Sequence, residues 1–199
     1  MKSILLASII CSTFLLTSCG KKEGEAAKGT DSTTTSSATD AVKRGEYLVT
    51  IAGCNDCHTP WKMGPKGPEP DMAKMLSGSP EGMVNTPAKL EMPWMAAFSV
   101  TMTSASGPWG ISYSKNLTPD STGLGSWDEA AFKIALRTGM HNGSERPIMP
   151  PMPWQMINKM TDDDLHAVWT YLRSIPPVKN TPPEYQPPVG APTAMNEHK

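Results

Sequence analysis

Three residues with nucleophilic or metal-binding side chains lie close together in the sequence, at Cys54, Cys57 and His58. Residues three positions apart share one face of a helix, so both thiols can reach the same partner. Two thiols at this spacing can form thioethers to the two vinyl groups of one porphyrin, and the imidazole that follows is then positioned to bind its iron. The pattern Cys-x-x-Cys-His is typical of covalent c-type haem attachment. The sequence therefore predicts one covalent haem c bound by Cys54 and Cys57, with His58 as an axial ligand.

Two other uses of a Cys-x-x-Cys pair fit this sequence less well. A thioredoxin-like redox disulfide needs a strand-helix-strand context, which the sequence does not indicate. A structural zinc site needs four ligands, and beyond the motif the chain offers His141, His166 and His198 without a second cysteine pair. The other cysteines, Cys11 and Cys19, lie in an N-terminal segment with export features. The haem interpretation is therefore preferred.

The second axial ligand of an iron bound to His58 separates electron carriers from haem enzymes and gas sensors, whose distal position opens. The chain has 14 Met, so context has to select among them. Met152 stands between two prolines, which remove backbone donors and bias Met152 towards extended geometry. A stiff loop loses less entropy when its sulfur is fixed to a metal. Met152 is therefore the predicted ligand, with Met149, the other methionines and His141 as alternatives.

Three further segments occur in a fixed order along the chain. Residues 44–48 read Arg-Gly-Glu-Tyr-Leu before the cysteine motif, residues 116–120 read Asn-Leu-Thr-Pro-Asp, and Met152 with the proline after it precedes a final predicted helix. Together they resemble class I c-type cytochromes, most nearly the monohaem domains in the cytochrome subunits of membrane-bound alcohol and gluconate dehydrogenases. The resemblance covers residues 42–178. It implies electron transfer without catalysis by the chain itself, His58 and Met152 as axial ligands, and a dehydrogenase, an oxidase or another cytochrome as redox partner.

Further roles follow from this resemblance alone. Pro68 lies in a segment that resembles the family's loop whose proline carbonyl accepts the proton of the proximal histidine, which would set the tautomer of His58. Pro65 is the alternative. Gly45 and Tyr171 occupy places where, in the family, the first and last helices cross and a glycine lets an aromatic side chain approach. The plainer alternative, that Gly45 is merely a weak helix position, stays open.

Three helices are expected to position these residues. The first spans residues 42–52 and leads into the cysteine motif. The second begins at a capping box formed by Ser126 and Glu129 and stops at Gly139. The third begins at Thr161 and carries an apolar stripe at helical spacing. The predicted fold class is mainly α, a cytochrome c-like bundle of short helices around one covalent haem, in a domain spanning residues 41–178.

Residues 59–115 form a long insertion between the cysteine motif and the segment at residue 116. A stretch of this length is too long for a structureless loop in a compact domain. Residues 98–102 and 109–113 are the predicted strands of a hairpin that turns at Gly107 and Pro108. The rest of the insertion is expected to cover the haem or to shape a docking face.

The N-terminal segment indicates an exported lipoprotein. Residues 1–18 are typical of a signal peptide, because their apolar stretch from Ile4 to Leu16 is too short to span a bilayer. The Leu-Thr-Ser that precedes Cys19 resembles a lipobox, so Cys19 is the predicted lipidation site; ordinary cleavage that leaves a free thiol is the alternative. Residues 19–40 are predicted to be a flexible tether. The expected location is the periplasmic face of the inner or outer membrane of a bacterial envelope.

Composition and length narrow the remaining possibilities. At 199 residues the chain has room for one ordinary domain with tails. Its 18 Lys and Arg against 19 Asp and Glu argue against nucleic-acid binding. The 20 Pro and 16 Gly argue against a large strand-rich core. Residues 179–199 are rich in proline and are predicted to be an extended strap or a disordered tail.

Overall fold

Short helices and two small antiparallel sheets form the regular structure. The computed structural model describes residues 32–141 and 146–190. The helices are α1 (Ser32–Ile51), α2 (Cys54–His58), α3 (Glu129–Thr138), α4 (Trp154–Ile157) and α5 (Asp162–Ser174). The strands are β1 (Trp61–Gly64), β2 (Gly67–Pro70), β3 (Ala97–Phe98), β4 (Ser104–Gly107) and β5 (Gly110–Tyr113), in the sheets β1-β2 and β3-β4-β5. Within the described ranges, none of the helices combines the length and apolar content needed to cross a bilayer.

The core is centred on the packing of α1 against α5. Leu48 and Val49 of α1 are buried in one cluster with Leu165 and Leu172 of α5. α5 begins as predicted, because the Thr161 hydroxyl accepts a hydrogen bond of 3.0 Å from the backbone N–H of Asp164. Such a cap satisfies one of the amides that a helix N-terminus leaves unpaired. The apolar face of α5 is thereby held against α1.

Gly45 lies where α1 and α5 cross, and the predicted close approach is confirmed. A Cβ atom on Gly45 would overlap the backbone carbonyl of Ala167 and lie 2.6 Å from Cβ of Tyr171. Neither obstacle is the flexible end of a side chain, so relief would require one helix to move. The absence of a side chain at this position sets the distance between the two helices.

Replacing Gly45 by alanine is expected to destabilise the protein by about 3 kcal/mol, since the added methyl group forces the packed helices apart. Helix propensity alone predicts the opposite sign, a gain of about 1 kcal/mol. Urea unfolding of the purified protein measures the difference. Lys43→Ala changes an exposed residue of the same helix and should leave the unfolding midpoint nearly unchanged. A Gly45→Ala midpoint at or above that of the wild type would contradict the packing role.

α1 begins at Ser32, ten residues before the predicted start. The prediction of a flexible tether over residues 19–40 is therefore wrong for residues 32–40, which are helical. Starting a helix is unfavourable, whereas extending an existing one is nearly free. The part of α1 that packs on α5 supplies the nucleus, and the polar residues before it continue the helix. Residues 19–31, the predicted signal peptide and Cys19 lie outside the described residues.

The capping box predicted for α3 is replaced by a different cap. Asp128, not Ser126, precedes the helix in extended conformation, and its carboxylate accepts a hydrogen bond of 2.8 Å from the backbone N–H of Ala131. Ser126 instead ends a short 3-10 turn that begins at Leu124. The predicted stop at Gly139 is confirmed, because this residue has φ 72° in the left-handed region that favours glycine.

The insertion contains the predicted hairpin with a different first strand. β4 pairs with β5 so that Gly107 faces Gly110, which leaves a two-residue turn at Pro108 and Trp109. The first strand of the hairpin therefore spans residues 104–107 rather than 98–102, and β3 pairs with the other edge of β4. A tight turn sets this register. The hairpin β1-β2 was not expected from the sequence.

Residues 179–190 form the predicted strap across the domain. Gln186 exchanges backbone hydrogen bonds of 2.8 and 2.9 Å with Ile111 of β5. The Asn180 amide donates to the carbonyls of Ser77 and Ser79 at 2.7 and 2.8 Å. The Tyr185 hydroxyl donates to the Trp109 carbonyl at 2.6 Å. These anchors bind the extended strap to the insertion along its length, while residues 191–199 lie outside the described residues.

Candidate haem-binding site

A sharp turn after α1 positions the two cysteines and His58. Gly53 has φ 67°, a left-handed conformation that glycine adopts without strain, so α2 starts three residues after the end of α1. At the other end of α2, the buried Thr59 hydroxyl donates to the Asn55 side chain at 2.7 Å and accepts from the Leu76 amide at 2.9 Å. The turn at Gly53 therefore sets where the five-residue helix begins, and the Thr59 hydroxyl ties its other end to the Leu76 backbone.

Cys54 and Cys57 are free, half-buried thiols. Burial raises the pKa of Cys54 to about 11, and burial together with the charge of Asp56 also raises the pKa of Cys57. Thiol-disulfide exchange sites do the reverse and lower the pKa of the attacking cysteine. The environment of this pair thus argues against a redox disulfide and leaves two protonated thiols on one short helix.

The His58 imidazole is buried and oriented by a backbone carbonyl. Its Nδ1–H donates a hydrogen bond of 2.8 Å to the carbonyl of Lys115. Burial lowers the pKa of His58, although the same hydrogen bond raises it. A neutral ring whose Nδ1 carries the proton presents an unprotonated Nε2. This is the form in which histidine binds a metal, with its other nitrogen fixed by a carbonyl.

The prediction that the Pro68 carbonyl orients His58 is wrong. Pro68 is exposed in β2, paired with Met63, and the alternative Pro65 lies in the turn of the same hairpin. The partner of the His58 ring is instead the carbonyl of Lys115, at the far end of the insertion, whereas Gly78 within the insertion contacts only the backbone carbonyl of His58. Every residue has a carbonyl, so no residue type marks this position. The one available signal was that Lys115 directly precedes the Asn-Leu-Thr-Pro-Asp segment.

That segment has a structural task, which is to hold the backbone around Lys115. The buried Asn116 side chain accepts hydrogen bonds of 2.9 and 2.8 Å from the amide and hydroxyl of Thr118. It also donates to the carbonyls of Val178 and Asn180 at 2.8 and 3.1 Å. These bonds fix the segment against the start of the strap. The Lys115 carbonyl is thereby kept in place for His58.

A cavity of about 640 Å³ brings the predicted site residues together. Cys54, Cys57, His58 and Met152 all line it, and Pro68 does not. The walls are otherwise mainly apolar and are formed by side chains of α1, α3 and α5, among them Leu48, Val49, Phe132, Leu136, Val168 and Leu172. Its volume lies in the range of cofactor pockets. A large apolar pocket with two thiols and a neutral imidazole has the donor set and the lining that a covalent haem requires.

The loop that carries Met152 runs between α3 and α4. The Met152 amide donates to the carbonyl of Met149 at 3.3 Å, and the Met152 side chain packs against the core cluster. Met149 and His141 line the same cavity. The His141 ring also packs edge-on against Trp127, with ring centroids 5.4 Å apart. Met152, Met149 and His141 are thus all brought to the cavity, which Met102 and Met160 also line, and the choice of Met152 stays a prediction.

Comparison with known proteins yields relatives among the cytochrome components of dehydrogenases, although no family profile matches the chain. The fructose dehydrogenase cytochrome subunit of Gluconobacter japonicus is 27% identical over 164 residues, covering 81% of this chain and 27% of that protein. The gluconate 2-dehydrogenase cytochrome c subunit of Pantoea cypripedii is 28% identical over 144 residues, covering 71% of this chain and 25% of that protein.

A shorter match reaches higher identity. One component of the nicotinate dehydrogenase of Pseudomonas putida is 39% identical over 80 residues, which is 40% of this chain and 7% of that protein. The chain is therefore related to the cytochrome c subunits of dehydrogenases. It spans between 7% and 27% of the length of these three relatives.

Proposed function

We propose that this chain is an exported, lipid-anchored cytochrome c that carries single electrons between redox partners, one of them a dehydrogenase. In this proposal it has one covalent haem c attached through Cys54 and Cys57, with His58 and Met152 as axial ligands. The short helices around the cavity form a cytochrome c-like bundle. The chain transfers electrons and does not itself catalyse the oxidation of a substrate.

The observation that carries this proposal is the protonation and the orientation of the His58 ring at the cavity. A buried, neutral imidazole with its Nδ1 proton donated to the Lys115 carbonyl is prepared to bind a metal through Nε2. Two free thiols lie one and four residues before it on the same short helix. The similarity to dehydrogenase cytochrome c subunits supports the same conclusion from an independent direction.

The residues of the chain have separate tasks in electron transfer. When bound, the haem supplies the one-electron Fe(III)/Fe(II) couple. The Lys115 carbonyl prevents rotation of the His58 ring. The apolar side chains of α1, α3 and α5 exclude water, which lowers the polarity around the site. The proline-flanked loop holds the Met152 thioether, and a soft sulfur donor favours the ferrous state and hence a higher reduction potential than a second histidine would give.

The location and anchoring belong to the same proposal. Lipidation of Cys19 would place the chain on the periplasmic face of the inner or outer membrane. A single acyl chain binds a membrane only marginally, whereas the several chains of a processed lipoprotein hold it stably. Residues 19–31 then connect the anchor to α1.

Carbon monoxide distinguishes an electron carrier from a haem enzyme or sensor with a displaceable distal ligand. The purified, reduced protein is expected to keep its absorption spectrum under carbon monoxide, because the second axial position is occupied by a side chain on a stiff loop. A redox titration of the same sample should give one reversible, one-electron transition. Rapid formation of a carbon monoxide complex by the native protein would overturn the carrier function and favour the enzyme or sensor.

A further inference from the structure

One part of the cavity lining departs from its apolar character. Lys115, His141, Arg146 and Glu184 all line the cavity, and they come from three separate segments of the chain. The Lys115 ammonium donates a hydrogen bond of 3.0 Å to the Glu184 carboxylate. The backbone carbonyl of Arg146 accepts a hydrogen bond of 2.9 Å from the backbone amide of His141. We call Lys115, Arg146 and Glu184 the charged edge of the cavity.

Lys115 and Arg146 act electrostatically on the same two groups, His141 and Glu184. The pKa of His141 is lowered to about 4, first by burial and then by the positive charges of Arg146 and Lys115. The pKa of Glu184 lies below its ordinary value. Burial alone would raise this pKa, but the hydrogen bond from Lys115 and the positive charges of Lys115 and Arg146 together outweigh burial and lower it. His141 is therefore neutral near pH 7. The charged edge then carries two positive charges and one negative charge.

This excess of positive charge makes one wall of an apolar cavity attractive to anions. Lys115 and Arg146 are only half-exposed, so water screens their charges less than it would at an open surface. The one other carboxylate on the described lining, Asp56, lies between the two cysteines and acts on their thiols. A negatively charged group inside the cavity is therefore stabilised at the charged edge rather than beside the thiols.

A haem brings such anions, because its porphyrin carries two propionate carboxylates. We propose that Lys115 and Arg146 bind the propionates of the haem, and that the charged edge thereby adjusts the reduction potential of the iron. This inference rests on the proposed function, since it assumes that a haem occupies the cavity. Arg146 can form two parallel hydrogen bonds to one carboxylate, whereas Lys115 acts as a compact point charge.

Glu184 has the opposite task and is held in place by the strap. Its neighbours on both sides are anchored to the insertion, Asn180 at the Ser77 and Ser79 carbonyls and Gln186 at Ile111. The carboxylate therefore stays beside Lys115 and offsets part of the positive charge. It is 79% exposed, against 29% for the Lys115 side chain. Water screens an exposed charge, so its effect on the iron is weaker than that of the half-buried cations.

Redox titration of the haem-containing full-length protein tests the proposal. Arg146→Gln should shift the midpoint potential to lower values, because a propionate left without its cation stabilises ferric iron. Glu184→Gln should shift it in the other direction and by a smaller amount. Arg146→Lys keeps the charge and should return the potential towards that of the wild type. A purely structural role of these residues would not produce shifts of opposite sign.

The controls are Lys89→Gln and Glu91→Gln, which change the same charges at exposed positions that do not line the cavity. Both should leave the potential unchanged. If Arg146→Gln and Glu184→Gln shift the potential no more than these controls, the role of the charged edge is overturned while the electron-carrier function stands. If the wild-type protein from a host able to mature cytochromes contains no haem, the proposed function itself fails. The two failures are therefore separable.

Discussion

A variant in which both Cys54 and Cys57 are replaced by serine is expected to lose all haem that survives denaturing electrophoresis. Thioether bonds are the reason that a cofactor remains with an unfolded chain, and serine cannot form them. The wild type, matured in the same host, should give a band that stains for haem at the size of the chain. The expected change is complete loss of staining.

The single variants refine this result. Cys54→Ser and Cys57→Ser each keep one thiol and should retain weaker staining or be degraded, whereas the double variant should stain no more than background. Cys11→Ser makes the same substitution in the predicted signal peptide and should stain like the wild type. Full staining of the double variant would show that the haem is attached elsewhere, and unstained wild type would exclude covalent haem.

Replacing Met152 by alanine is expected to lower the reduction potential of the iron and to abolish the weak absorption band that a thioether gives with ferric iron. The alanine side chain cannot reach a metal, so water or another side chain takes the position. Each of these stabilises ferric iron more than a thioether sulfur does. Visible absorption of the oxidised protein and a redox titration measure the two effects on one sample.

Two other methionines on the same stretch of chain serve as controls for Met152. Met149 lines the cavity but is the less favoured ligand, and Met156 is 75% exposed on α4 and does not line it. Met149→Ala and Met156→Ala should keep the thioether band. If the band survives in Met152→Ala and disappears in Met149→Ala, the ligand is Met149. If the oxidised wild type lacks the band altogether, His141 becomes the candidate for the second axial position.

The parts of this structure that were predictable from sequence depend on interactions between residues near one another in the chain. The spacing of Cys54, Cys57 and His58 needs only one turn of helix. The cap at Thr161 and the stop at Gly139 involve residues within a single turn. Even the error at the start of α3 is local, since Asp128 and Ser126 compete for the same helix end only two residues apart.

The orientation of His58 depends instead on a residue far away in the chain. Its partner, the Lys115 carbonyl, is separated from it by 57 residues, and the hydrogen bond uses an atom that every residue has. The charged edge also depends on residues that are far apart in the chain. Lys115, Arg146 and Glu184 belong to three separate segments, which meet at the cavity only in the folded protein. Side-chain type therefore gave no indication of either arrangement.

The amino acids alone established which chemical groups are available: two thiols and an imidazole within five residues, and a methionine between two prolines. Folding decided how that chemistry is tuned, namely which carbonyl fixes the imidazole, how deeply the thiols are buried, and which charges border the cavity. The physical reason is range. Helical spacing and caps act over three or four residues, whereas burial and electrostatic fields depend on every segment that packs around the site.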